Sequence, residues 1–169
     1  MTALLLSIHV LAAIVLIGPI TVAASLFPRY ARAELADPGA GNAAVLRALH
    51  RISSVYSAAA LVVPVFGFAT ALQLGVLGDI WLLTSIALTV VAAGLLVLAV
   101  LPVQRQVLAA LDRKPAPAGP PSGSDDGASE VGGLSQTLSR LGMRTGLFAL
   151  TWAVVAVLMI VRPGSTTGT

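Results

Sequence analysis

The stretch that decides the fold is IWLLTSIALTVVAAGLLVLAVLPVQ, residues 80–104, which contains no Asp, Glu, Lys or Arg. A helix needs about 20 apolar residues to cross a hydrocarbon core about 30 Å thick, with a working range of about 17–25. Outward from this run, residues 52–78, 1–28 and 145–161 are equally free of charge. The last is the shortest, but Leu141, Gly142 and Met143 extend it past Arg144, whose side chain can snorkel to the membrane surface. None of the runs alternates in the way a membrane-spanning β-strand does. The chain reads as all-α: a polytopic membrane protein, a four-transmembrane-helix bundle forming a single domain over residues 1–169. The helices are placed near 4–27, 52–75, 81–102 and 143–161.

Composition agrees. The chain is 57% hydrophobic and 10% charged, against about 45–50% and about 25% in soluble domains. So few charges cannot coat a globule, which argues against a soluble enzyme, a disordered tail or a nucleic-acid binder. The basic pI rests on an excess of only three positive charges. With no cysteine, disulfides, thiolate catalysis and Cys-based metal sites are excluded. Nine Arg against one Lys, with abundant Ala, Val and Gly, suggests a bacterial origin and the cytoplasmic (inner) membrane.

Val22-Ala23-Ala24 resembles a signal-peptide cleavage site, but no basic residue precedes the first run, and the run is longer than a signal core. It is read as a permanent helix. Arg29, Arg32, Arg47 and Arg51 lie between helices one and two, and Arg105, Arg113, Lys114, Arg140 and Arg144 between helices three and four. Only Arg162 falls on the other side. Basic residues mark the cytoplasmic side, so both termini are expected outside. Arg29, Arg32, Arg47 and Arg51 are then expected to meet the anionic headgroups of the bilayer.

Asp37-Pro38-Gly39-Ala40-Gly41 is a turn cluster, with Asn42 as an N-cap for a helix running into the second span. Gly75 to Asp79 form a tight turn joining helices two and three as an antiparallel hairpin. Residues 114–133 are rich in Pro, Gly, Ser and Asp and read as a disordered cytoplasmic linker. Leu134, Leu138 and Leu141 follow with helical spacing. They suit either an amphipathic lead-in on the membrane surface or a plain continuation of helix four.

Charged side chains deep in a membrane are costly and usually functional, and no run carries one. That argues against a proton-coupled transporter, an ion pump or a voltage sensor. His9 is the one ionisable side chain well inside a run, flanked by small residues such as Ala12 and Ala13. It is a candidate cofactor-binding residue: an axial ligand of haem b, a metal ligand or a quinone partner. The alternative is a neutral imidazole bonded to a backbone or hydroxyl group of a neighbouring helix. His50, beside Arg47 and Arg51, is expected at the solvated inner interface. The two histidines should differ in depth by more than about 20 Å, given a core of about 30 Å, and so cannot ligate one haem together. Met159 shares the depth of His9, so a His/Met pair is conceivable geometrically, the alternative being a methionine that faces lipid or packs.

Pro19 and Pro64 fall near mid-helix, where each removes a backbone bond. Such breaks occur at transport sites and also in ordinary membrane helices. Gly67, Ala71 and Gly75 form a small-residue face for close packing, either within the chain or in a homo- or hetero-oligomer. Tyr30 and Trp81 read as interfacial belt residues, and Trp152 as a packing residue. Nine Ser, Thr and Gln side chains of the helices, Ser54 among them, can hydrogen-bond across helices. None is expected to share the depth of a histidine or carboxylate, so no nucleophile–base pair and no catalytic residue is expected.

His9-Val10-Leu11-Ala12-Ala13, Gly18-Pro19 and Phe27-Pro28-Arg29-Tyr30 resemble a bacterial integral membrane family, the domain of unknown function numbered 2269. Leu49-His50-Arg51-Ile52, Pro64, Gly67 and Leu101-Pro102 continue the resemblance, which covers most of the chain apart from the linker and tail. It implies a four-helix membrane protein and supplies no activity. Three functions follow as expectations: an accessory or scaffolding membrane protein without a catalytic site, a haem- or quinone-associated redox protein using His9, or a small-solute permease using the two proline kinks.

Overall fold

The computed structural model describes residues 2–112, 126–161 and 163. All regular structure among them is helical: α1 (Thr2–Ala36), α2 (Asn42–Ala59), α3 (Val62–Leu74), α4 (Ile80–Gly94), a π-helical turn (Leu95–Val100), α5 (Leu101–Asp112) and α6 (Asp126–Val161). They make four rods long and apolar enough to cross a membrane: Thr2–Ala36, Asn42–Leu74, Ile80–Asp112 and Gln136–Val161. The architecture is that of a multi-pass membrane protein. In lipid, helices satisfy their own backbone groups, which is why such apolar runs fold this way.

The helices run beyond the spans read from the sequence, because charge ends a membrane core but not a helix. Pro19 and Pro28 lie inside α1 without interrupting it. Pro64 acts differently. It has no N–H for the Ala60 carbonyl, which instead accepts the Val63 N–H at 3.0 Å, and the rod breaks at Ala60–Leu61 between α2 and α3. Pro102 likewise leaves the Leu98 carbonyl without its usual donor, and the π-helical turn over Leu95–Val100 takes up the mismatch. The Arg144 guanidinium donates to the Ala99 carbonyl of this turn at 3.5 Å.

The α1–α2 turn corrects the expected cap. Gly41 (φ 86°), not Asn42, is the capping residue, with no side-chain cap bond. Gly39 (φ 96°) also holds a left-handed conformation, which glycine adopts without steric cost. Its N–H donates to Glu34 Oε1 at 3.1 Å, so the buried Glu34 closes the turn. Gly75 (φ 70°) ends α3 in the same way, and its N–H reaches back to the Leu72 carbonyl at 3.2 Å.

α6 starts at Asp126, inside the segment read as linker. The last proline of that segment is Pro121, so nothing in the chemistry of 126–133 bars a helix. The rest of the segment, up to 125, lies outside the described residues. Leu138 and Leu141 are fully buried in the core, so the leucine stripe continues helix four and does not lie on a surface.

α1 is the central element: it packs on α2, α3 and α6, while α4 packs on α6 and α2 on α5. Ile20, Ala23, Ala24, Phe27 and Ala31 share one face of α1 and join Leu46, Val100, Val107, Leu138, Leu141 and Phe148 in a single core. This core fills the half of the bundle that carries the longer loops. There α2 and α5 close the seam between the second and third rods through polar contacts. Arg47 pairs with Asp112 at 2.6 Å, and His50 Nδ1 meets Gln104 Oε1 at 3.0 Å. Arg47 and Asp112 are each more than half exposed, which limits their pairing to about 0–1 kcal/mol. In the other half, α3 and α4 are joined by a short turn but do not close on each other along their length. The hairpin expected from residues 75–79 is present, and it is splayed.

Candidate functional site

The splay leaves a cavity of about 550 Å³ between all four rods, at the end that holds the start of α1, the 75–79 turn and the end of α6. That volume lies within the roughly 300–1,000 Å³ of small-molecule sites, which are mainly apolar with a few placed polar groups. Its walls are apolar almost throughout, and several of its side chains (Val10, Ile14, Phe68, Val90) are also exposed on the outside of the bundle. The cavity is therefore open toward the surface that would face lipid. A smaller void of about 90 Å³ shares Pro64, Thr89 and Trp152 with it and continues toward the packed half.

His9 is the ionisable side chain in this wall. It is 8% exposed. Its Nδ1 lies 2.8 Å from the Val63 carbonyl oxygen. A carbonyl only accepts, so Nδ1 carries the proton and, in the neutral ring, Nε2 presents a lone pair. Nε2 makes no hydrogen bond to any described residue. Gly67 makes this placement sterically possible. A Cβ there would lie 2.8 Å from His9 Cε1 and 3.0 Å from Nδ1, closer than side chains tolerate. The ring thus occupies the space of a missing side chain on α3, beside the break that Pro64 imposes.

Thr70, Thr89 and Trp81 in the wall are occupied as donors. Thr70 donates to the Phe66 carbonyl at 2.7 Å and Thr89 to the Ser85 carbonyl at 2.8 Å. The Trp81 indole donates to Asp79 Oδ2 at 2.9 Å. Trp81 is buried, so it serves the hairpin's packing and not only an interfacial belt. Trp152 packs edge-on against Phe148 at 6.5 Å between ring centroids, as a packing residue would. Met159 lines the same cavity as His9, as their similar depth suggested.

The small-residue face is used within the chain at two of its positions. Gly67 receives His9, and Ala71 packs with Trp81 and Leu82. Gly75 is the left-handed end of α3.

His50 is not simply solvated. It is half-buried, bonded through Nδ1 to the fully buried Gln104, and its Nε2 lies 3.4 Å from Ser54 Oγ. This corrects the expectation that no hydroxyl shares the depth of a histidine, since residues four apart on a helix are neighbours. Ser54 sits mid-helix, where the surrounding backbone N–H groups are committed to the helix. Gln104 Nε2 is buried without a hydrogen-bond partner among the described residues, so these contacts tie α2 to α5 and leave one donor free. Gln104 was missed in the sequence. Its signal was a lone amide at the end of an otherwise apolar run.

No family model, curated protein or solved structure matches this chain. The described residues contain no group of three or more His, Cys, Asp or Glu placed to hold a metal ion.

Proposed function

We propose that this is an accessory membrane protein that holds a lipophilic small molecule between its helices, with His9 as the polar contact. The observation that carries the reading is the cavity of about 550 Å³ whose one unoccupied imidazole nitrogen belongs to a ring locked by Val63 and Gly67. Its apolar walls leave room that a bound molecule would fill, since an unfilled wall forfeits dispersion contacts. The motifs behind the resemblance to domain 2269 include both His9 and Gly67, which the fold brings into contact. The inner-membrane location, with both termini outside and the arginines of the α1–α2 region on anionic headgroups, belongs to the same reading and rests on the distribution of basic residues.

Haem b is the second reading, favoured by His9 and Met159 facing one cavity. The residues fit it less well. Haem carries two carboxylates that need partners when buried, and no Lys or Arg lines the cavity. A neutral ligand makes no such demand.

The test is native mass spectrometry of the full chain released from mild detergent. Wild type should retain an adduct of a few hundred daltons. Ala13→Phe, which places a ring in the cavity, should lose the adduct while melting within a few degrees of wild type. An adduct that persists in Ala13→Phe would place the ligand elsewhere, and a haem-sized adduct with a Soret band would promote the second reading.

A further inference from the structure

Granting that the cavity holds a lipophilic ligand, we infer that it selects a ligand bearing a hydroxyl donor on a ring, a phenol or quinol, over the corresponding quinone or ether. The selectivity follows from the tautomer. His9 Nδ1 is spent on the Val63 carbonyl at 2.8 Å, so a neutral ring offers Nε2 only as an acceptor. To serve a carbonyl ligand, Nε2 would have to carry a second proton. That would bury a cation in an apolar wall with no carboxylate among its lining residues. Turning the ring does not change this: whichever nitrogen faces the Val63 carbonyl must carry the proton, and the other is left as an acceptor. Phe68, Trp81 and Trp152 in the wall suit a flat ring. The Trp152 indole N–H can serve an acceptor elsewhere on the ligand, but the preference for a donor rests on His9. The long dimension of the ligand leaves between α3 and α4, where the helices stay apart and the outer surface is apolar.

The experiment uses the full chain in nanodiscs and three probes: a benzoquinol with a ten-carbon tail, its oxidised quinone and its dimethyl ether. The protein's two tryptophans both line the cavity, so their fluorescence reports occupancy directly. The quinol should bind about tenfold more tightly than the quinone or the ether, the effect of one hydrogen bond in a dry site. His9→Phe should erase that difference while leaving all three probes bound at the weaker level. Equal binding of the three probes to wild type overturns the selectivity and leaves the cavity reading standing. Saturable binding of none of them overturns both. Should His9→Phe fail to fold, His9→Gln, whose amide supplies both donor and acceptor, replaces it. A preference that survives in that variant undiminished also counts against His9.

Discussion

Gly67→Val should lower stability by about 3 kcal/mol and abolish ligand retention. The Cβ alone would come within 2.8 Å of His9 Cε1, and the two added methyl groups leave the ring nowhere to stay. Moving the ring breaks the bond between Nδ1 and the Val63 carbonyl. Overpacking of a buried site costs about 1–3 kcal/mol, and a buried donor left without its acceptor costs about 1–3 kcal/mol more. The decisive feature is non-additivity. His9→Ala removes the ring, so Gly67→Val added to His9→Ala should cost far less than it does in wild type. Thermal melts of the four proteins form a double-mutant cycle. A coupling near zero would show that the ring and the glycine do not depend on each other.

Phe148→Ala should be among the most damaging truncations in the packed half, costing about 3–5 kcal/mol. Phe148 is 1% exposed, belongs to the main core and forms part of the wall of the smaller void. Removing its ring enlarges that void on the side of the core and takes away the edge-on neighbour of Trp152. The aromatic contact itself accounts for about 0.5–1.5 kcal/mol beyond area. Chemical denaturation or a thermal melt in detergent checks the loss, and a shift in tryptophan emission should accompany it. Phe148→Leu, which keeps most of the volume, should cost much less. An alanine variant as stable as wild type would mean the core is not packed as described.

The fold was legible because the bilayer imposes a length rule that charge-free runs either meet or fail. The four rods, their order and the turn at 75–79 follow from that rule alone. What lay beyond it depends on rotation about helix axes, which composition does not report. His9 was identifiable as the one ionisable side chain inside a run, and its bond to a neighbouring backbone was among its two expected readings. That the neighbour is Val63, beside a break forced by Pro64, required the packing. Gly67 stood out as a small residue on a packing face, but not as the socket for an imidazole. The cavity itself was invisible, since it arises where α3 and α4 diverge beyond their contact at Ala71, Trp81 and Leu82, and no residue pattern marks an absent contact. Gln104 was hidden for a related reason. The π-helical turn before Pro102 adds a residue to one turn and so re-phases the helix that carries Gln104.

The most direct test of the central claim is a binding isotherm read from the fluorescence of Trp81 and Trp152, with a brominated decylphenol as quencher, for wild type and Ala13→Phe in identical nanodiscs. The cavity account expects quenching in wild type that saturates at one equivalent per chain, with Ala13→Phe showing only the shallow, linear quenching of a probe dissolved in lipid. Linear quenching in both proteins would contradict it, because the cavity would then hold nothing that the bilayer does not hold equally well.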